Sequence, residues 1–361
     1  MSSNFNILVG DCLNILKELP DNSIDSIVTD PPYGLKFMSK KWDVSVPGVD
    51  TWKECLRVLK PGGHLLSFGG TRTYHHLAMN IELAGFEIRD QLQWLYGSGF
   101  PKSYNISKGI DKKLSDKESK ELCKQWDGFG TALKPANEPI VLARKPLSEK
   151  NIVDNVLKWG TGGLNIDDCR VDVSDNDPNH RKATGKNGGA DSMFGVGNSK
   201  RPATLTQGRF PANLLLDEDA AKMLDEQSGP CKTGKLEPHH KLKASKNNCM
   251  SGDNQERNPR KSFGGDSGGA SRFFYIPKVS KKERNGSLHP TMKPIKLMQY
   301  LVRLITPPNG LVLDPFMGSG STGVACIKEN FNFIGMELNP EYAQIAQKRI
   351  KHEKSTMGDS E

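Results

Sequence analysis

The sequence predicts an α/β protein built on an open, largely parallel, doubly wound sheet. Three observations carry that expectation: seven short apolar runs of buried-strand character, helical periodicities between several of them, and turn residues where one pattern gives way to the next. The first run, 7–9, precedes a helical pattern over 12–19 that stops at Pro20. The second, 26–29, leads straight into Asp30-Pro31-Pro32-Tyr33. A helix over 51–59 ends at Lys60-Pro61-Gly62-Gly63, ahead of the third run at 64–68. A helix over 74–84 stops at Gly85, and runs at 87–95 and 139–143 follow. Toward the end come a helix over 295–305 before Pro307-Pro308, runs at 311–313 and 332–336, and a helix over 340–351.

With 361 residues the chain has room for one large α/β domain and an inserted or appended module. Hydrophobic residues at 35% support a core, while 25% charged residues and 36 glycines require a polar, loop-rich part. That part is the middle. Between about 150 and 284 strands become sparse, and pairs such as Gly188-Gly189 and Gly264-Gly265 recur. A stretch of this length without regular structure is rare in a compact domain unless functional, so it reads as an inserted module, partly ordered only on a partner. Residues 229–284 hold thirteen Lys or Arg against five Asp or Glu, an excess equal to the whole net charge of +8. A localised basic segment suits a polyanion such as nucleic acid; a solvated loop is the plain alternative. Seven scattered cysteines fit a reducing compartment, and no apolar stretch nears the ~20 residues that span a bilayer. The expectation is a soluble cytoplasmic protein with no membrane partner.

Two sites carry chemistry. Asp30-Pro31-Pro32-Tyr33 sits at the carboxyl end of a strand, where open α/β sheets bind ligands. Its prolines fix the backbone and remove two N–H donors, so that carbonyls and one carboxylate face the crevice beside an aromatic ring. Methylation of an exocyclic base amine needs this set. A carboxylate at Asp30 and the Pro31 carbonyl can accept the two amine hydrogens, which aims the nitrogen lone pair at a methyl group. Tyr33 can stack on a base extruded from the duplex. The second site is the turn Asp314-Pro315-Phe316-Met317-Gly318-Ser319-Gly320, between a strand and a helix. It lacks the Gly-Lys-Ser/Thr end of a phosphate-binding loop and the spacing of dinucleotide folds. Glu337, at the end of the next strand, suits the hydroxyls of a ribose. Together these features fit a nucleoside-containing cofactor without a diphosphate.

These motifs resemble the amino-methyltransferases of DNA that act on adenine N6 or cytosine N4, in the beta-group order of catalytic tetrapeptide, target recognition region and cofactor loop. The resemblance covers 1–148 and 285–350 and is nearest to adenine enzymes of bacteria and their phages or prophages. It implies a Rossmann-like fold dependent on S-adenosyl-L-methionine, with seven strands in circularly permuted order. It assigns 1–148 to the catalytic part, 149–284 to an inserted target-recognition region, 285–350 to the cofactor-binding part and 351–361 to a polar tail. Asp30, Pro31, Pro32 and Tyr33 become the catalytic tetrapeptide. Asp314, Phe316, Gly318, Ser319 and Gly320 form the cofactor loop, Glu337 holds the ribose, and Asp11 contacts the cofactor adenine. His289, Thr291 and Lys293, in His289-Pro290-Thr291-Met292-Lys293-Pro294, wrap the methionine end, with the Lys293 ammonium facing the cofactor carboxylate. Asp rather than Ser at position 30 leans toward adenine N6 by family habit. The partner implied is double-stranded DNA; a homodimer and a cognate restriction endonuclease stay open, as do cytosine N4, an RNA substrate and a catalytically dead DNA-binding relative.

Weaker candidates complete the reading. Phe100 and Lys102, candidate DNA contacts, follow a strand beside the expected catalytic pocket, and Asn137 and Glu138 precede another at the same edge. Arg257, Arg260, Lys261 and Arg272 lie with Phe273, Phe274 and Tyr275 in a basic, aromatic stretch that reads either as a DNA contact or as a strand with solvated arginines. Cys231, His239, His240 and Cys249 lack the Cys-x-x-Cys spacing of structural zinc sites, so no metal is expected.

Overall fold

In a computed structural model of the chain, residues 4–35, 43–114, 117–172, 208–232, 267–277 and 292–358 are described. Two compact units emerge, one of Met1–Leu164, Asn213–Ala221 and Ile276–Glu361, the other of Asn165–Ala212 and Lys222–Tyr275. In chain order the first half runs β1 (Phe5–Val9), α1 (Cys12–Leu16), β2 (Ile24–Thr29), α2 (Val49–Val58), β3 (Leu59–Phe68), α3 (Tyr74–Leu83), β4 (Glu87–Leu95), α4 (Ile106–Lys113), α5 (Lys117–Gln125), β5 (Asn137–Arg144) and α6 (Ile152–Trp159). Then follow β6 (Leu214–Leu216), α7 (Glu218–Ser228), β7 (Cys231–Lys232), β8 (Ser267–Gly268), a 3-10 turn at Ala270–Phe273, α8 (Ile295–Ile305), β9 (Leu311–Asp314), α9 (Ser321–Lys328), β10 (Asn332–Glu337) and α10 (Pro340–Gly358).

The first unit is an eight-stranded sheet in the order β1-β10-β9-β2-β3-β5-β4-β6. Its strands pair in parallel except β5, which runs against both β3 and β4. The late strand β9 lies beside the early strand β2, which is the permuted order the motifs imply. From that pair the chain winds outward in both directions, to β10 and to β3. A crevice therefore opens at the carboxyl ends of β2 and β9, the topological switch point where such sheets hold ligands.

All seven apolar runs are strands. The eighth, β6, comes from the middle region read as irregular: Leu214, Leu215 and Leu216 add in parallel to β4 opposite Gln93, Trp94 and Leu95. Three residues are too few to show a period. Strand β3 starts at Leu59, earlier than expected, because Leu59 pairs with Ile24 across an irregularity in register. Helix α10 continues through 358, beyond the start of the expected tail at 351.

One core packs Leu16, Trp52, Val58, Leu77 and Ile81 from the helices against Ile27, Leu65, Val141 and Leu313 of the sheet. Helix α8 is buried on nearly every side, so its polar groups need partners. Gln299 Nε2 donates to Glu329 Oε1 at 2.7 Å, and Arg303 adds two bonds to the same carboxylate. Helix α6 belongs to this unit through Asn155, which is fully buried. Asn155 Nδ2 donates to the carbonyls of Pro61 and Thr161 at 2.8 Å, and its Oδ1 accepts the Ser148 N–H at 3.2 Å.

Within the second unit β7 and β8 pair antiparallel, and Asp225 accepts both the N–H and the hydroxyl of Ser271 at 2.8 and 2.7 Å. That carboxylate stabilises a 3-10 turn over Ala270–Phe273 where a strand through Phe273 was one expectation. The Arg209 and Arg272 guanidinium groups lie over the Phe273 ring at 4.8 and 4.3 Å.

Asn155→Ala leaves the Thr161 carbonyl and the Ser148 N–H without their partner, while the Pro61 carbonyl keeps the Thr161 hydroxyl. The expected loss is about 2–4 kcal/mol, from unsatisfied buried groups at about 1–3 kcal/mol each less relaxation. Urea unfolding would measure it; a change below about 0.5 kcal/mol, typical of surface substitutions, would remove Asn155 as the anchor of α6.

Candidate active site

The site starts at Asp314, the last residue of β9, whose side chain is 2% exposed. Its Oδ1 accepts the Thr29 hydroxyl at 2.6 Å and the Phe316 N–H at 3.1 Å; its Oδ2 accepts the Thr322 hydroxyl at 2.6 Å. Burial pushes this carboxyl up to about 6, against the opposing pull of the two hydroxyls and the amide. Asp314, expected as a cofactor ligand, is thus already engaged by three protein donors. It clasps the end of β2, the turn after β9 and the start of α9.

The turn that follows is shaped for two different tasks. Gly318 has φ 55°, a left-handed conformation that favours glycine, and no atom lies within 4 Å of where a Cβ would stand. Its N–H donates to Glu337 Oε2 at 2.9 Å. Gly320, at φ 82°, presses on α10 instead: an added Cβ would meet the Ala346 Cβ at 2.8 Å. Ser319 is held by Arg349, whose Nη1 donates to its carbonyl and hydroxyl at 2.5 and 3.1 Å. Phe316 tilts against Trp52 with ring centroids 6.3 Å apart. Glu337 Oε1 accepts the Asn339 N–H at 2.8 Å, and burial raises this carboxyl above its ordinary range. Asp11 caps α1 by accepting the Asn14 N–H at 3.2 Å. Cys12 beside it is pushed up to about 12, by burial first and then by Asp11, so it stays a thiol. His289 and Thr291 lie outside the described residues.

Across the crevice the tetrapeptide is fixed from several sides. Thr73 Oγ1 donates to the Tyr33 carbonyl at 2.6 Å, and the Asp43 carboxylate accepts the N–H groups of Gly34 and Leu35 at 2.7 and 3.2 Å. Asp30, Tyr33, Glu138 and Lys293 then form one polar cluster. Lys293 Nζ lies 2.7 Å from Asp30 Oδ2 and 3.1 Å from Glu138 Oε2. The Tyr33 hydroxyl stands 2.8 Å from both Asp30 Oδ1 and Glu138 Oε2, two acceptors for its single proton. The Lys293 ammonium also faces the Phe68 ring at 4.8 Å. Burial opposes the charge on Lys293, but Asp30 and Glu138 outweigh it and raise its pKa. Asp30 is raised as well, by burial and the Glu138 charge against the pull of Lys293. The Lys293 ammonium, expected at the cofactor carboxylate, is met here by two protein carboxylates.

Both halves border one cavity of about 970 Å³, lined on one side by Asp30, Pro32 and Lys293 and on the other by Gly10, Asp11, Phe316, Gly318, Ser319 and Glu337. That volume stands at the upper end of the ~300–1,000 Å³ typical of small-molecule sites. S-adenosylmethionine fits the donor set. Each Glu337 oxygen accepts one backbone N–H and keeps lone-pair capacity for ribose hydroxyls. The open space at Gly318 admits a ligand close to the backbone.

A fold wound around this switch point, with a carboxylate-proline-aromatic tetrapeptide facing a glycine turn and an acidic strand end, defines a nucleoside-cofactor methyltransferase. A family model for N6/N4 methyltransferases, described as DNA methylase, matches residues 24–348, and the chain belongs to that family, whose methyl donor is S-adenosylmethionine. It is 22% identical over 390 aligned positions to the type II methyltransferase M.HindIII of Haemophilus influenzae, covering 96% of this chain and 94% of that protein. It is 43% identical over 79 residues to M.BglI of Bacillus subtilis, a match that spans only 22% of either protein. Among solved structures, the M1.HpyAVI–SAM complex aligns over 96% of this chain and 98% of that one at 19% identity, with a TM-score of 0.45.

The remaining sequence candidates are placed as follows. Phe100 is 78% exposed, and Lys102 is exposed on the same connection. Arg272, expected at DNA, donates through Nη1 to the Gly268 and Gly269 carbonyls at 2.7 and 2.6 Å and so braces its own unit. Arg257, Arg260 and Lys261 lie outside the described residues, as do His239, His240 and Cys249. Among the described residues no group of three or more His, Cys, Asp or Glu is placed to hold a metal. Thr29, Asp43 and Thr73 escaped the reading because each acts through hydrogen bonds formed by the fold, with no local pattern to mark it.

Thr322→Val removes one hydroxyl from the Asp314 clasp. The folded-state pKa of Asp314, about 6, lies above its ordinary 3.8, so its favourable contribution is present at low pH and lost as pH rises through about 6. The substitution should cost about 1.5–3 kcal/mol at pH 8, where the carboxylate is charged, and less at pH 5, where it is largely protonated. Urea unfolding at the two pH values tests this; equal losses would show that Asp314 does not titrate as described.

Proposed function

We propose that the chain transfers a methyl group from S-adenosylmethionine to N6 of an adenine flipped out of double-stranded DNA, at sites selected by the region 149–284. The observation that carries this reading is the single cavity bordered by Asp30 on one side and by Gly318 and Glu337 on the other. Bound there, S-adenosylmethionine supplies an electrophilic methyl group.

The chain's own residues do the rest. An exocyclic amine is a poor nucleophile while its lone pair is delocalised into the base. Asp30 and the Pro31 carbonyl accept its hydrogens and so favour a tetrahedral nitrogen with a directed lone pair. Asp30 retains acceptor capacity for this although Lys293 and Tyr33 each bond one of its oxygens, since an ionised carboxylate offers about four lone-pair sites. Tyr33, fixed through its carbonyl and hydroxyl, presents a rigid ring beside the base. The nitrogen gives up its proton after alkylation, when it has become acidic. Asp rather than Ser at position 30 favours adenine; cytosine N4 would use the same geometry and is the base that the family leaves open.

Mass spectrometry of nucleosides from unmethylated DNA, treated with purified protein and S-adenosylmethionine, tests the assignment. N6-methyladenine is expected. N4-methylcytosine would overturn the base, and methylation confined to a parallel RNA sample would overturn the partner. Asp30→Ala should lower methyl transfer by about 10²–10³-fold, the scale of losing one transition-state hydrogen-bond partner, with S-adenosylmethionine affinity unchanged. Retained transfer would sink the role of Asp30.

The cluster also sets a pH dependence. Asp30 acts ionised, and its pKa is raised, so the acid limb of single-turnover methyl transfer should lie above the usual carboxylate range. Glu138 contributes to that elevation, so Glu138→Gln should move the limb to lower pH. An unmoved limb would exclude Asp30 as the titrating group.

A further inference from the structure

Between β4 and β5 the chain leaves the sheet, and its return brings it to Glu138 of the polar cluster. The neck of this excursion is closed by ordinary bonds. The Tyr96 N–H donates to the Ala136 carbonyl at 3.0 Å, Lys134 Nζ to the Gly97 carbonyl at 2.6 Å, and the N–H groups of Thr131 and Ala132 to the Ser103 hydroxyl at 3.0 and 3.3 Å. Beyond the neck α4 and α5 fold as a hairpin. Asn105 caps α4 by accepting the Lys108 N–H at 2.9 Å, and the Cys123 thiol donates to the Ser107 carbonyl at 3.3 Å.

The hairpin has little core of its own. Ile106 and Ile110 are only half-buried, and α4 buries no residue. Helices this short are marginal in isolation, so stability does not explain their surface. That surface is basic. Among the described side chains of 97–135, seven exposed lysines face three exposed acidic residues. Lys108 and Lys112 stand one turn apart on α4, and Lys120 and Lys124 one turn apart on α5; none of the four makes an ion pair among the described residues. Four residues rise about 6 Å along a helix. Duplex DNA rises about 3.4 Å per base pair on each strand, so the separation of one such pair matches a rise of about two base-pair steps. Just after α5, Trp126 and Phe129 pair edge-on at 5.1 Å and remain 40% and 55% exposed.

We propose that the α4–α5 hairpin is an arm that grips the phosphate backbone of duplex DNA beside the target base. The inference rests on the function proposed above and adds a contact surface separate from the region 149–284. A second copy of the chain is a poorer occupant, because the centres of protein–protein interfaces are depleted of lysine.

The test uses the full chain and a short fluorescein-labelled duplex of mixed sequence, with affinity measured across a salt series. Phosphate contacts are read by the slope of log affinity against log salt, about 0.9 per contact in duplex DNA. Replacing Lys108, Lys112, Lys120 and Lys124 together by Gln should reduce that slope by about two to four and weaken binding at least about tenfold at moderate salt. Arg at the same positions should preserve both. S-adenosylmethionine affinity should stay within about twofold, as no cofactor contact is touched. Should the fourfold variant lose that affinity, the two pairwise variants are read in its place. Coincident slopes for wild type and Gln variant would overturn the arm. Coincident slopes with a change from dimer to monomer would assign the surface to a second copy. A wild type that binds DNA with the expected slope yet methylates no base would contradict the proposed function and leave the arm standing.

Discussion

The clasp at Asp314 is the interaction on which the rest of the site depends. One carboxylate, buried between β2 and β9, draws in the hydroxyls of Thr29 and Thr322 and the amide of Phe316. Thr29 immediately precedes the tetrapeptide, while Phe316 belongs to the glycine turn and Thr322 opens α9. The residues held by Asp314 therefore come from positions almost three hundred apart in sequence, and their alignment sets the separation of the two walls of the cavity. A carboxylate that did not bridge would gain nothing from such burial, since a buried charge is costly unless it is hydrogen-bonded.

The second constraint is electrostatic. Asp30 and Glu138 place two partly buried carboxylates beside one buried ammonium. Removing ions from water costs several kcal/mol each, and a pair alone seldom recovers it. The cluster persists because every member has more than one partner: Lys293 with both acids and Tyr33, Tyr33 with both acids, and the lysine also with the Phe68 face. Such clusters concentrate at functional sites, where the same burial that costs stability raises a carboxyl toward the pH at which it is used.

Much of this architecture is legible in the sequence, for identifiable reasons. Buried strands tend to be near-continuous apolar runs, such as 311–313 in β9, and all seven runs lie in strands. Helix α8 was equally plain, bounded by Pro294 before it and Pro307-Pro308 after it. The tetrapeptide and the glycine turn stood out because prolines and glycines constrain backbone in recognisable ways. What could not be read is what tertiary contact alone decides. The motifs did not show that Asp314 also clasps Thr29, Phe316 and Thr322, that Gly320 packs on α10, or that Lys293 meets Asp30 and Glu138. Helices α4, α5 and α6 were missed because they are short, and the lysines of α4 and α5 dilute any apolar period.

In the proposed function, methyl donor and target amine meet between Glu337 and Asp30. A crystal structure of the full chain with S-adenosylhomocysteine would test that most directly. The ribose should lie against Glu337, the adenine toward Asp11, and the sulfur on the side of the cavity that Asp30 and Pro32 line. A product bound outside this cavity, or with its sulfur turned away from Asp30, would contradict it.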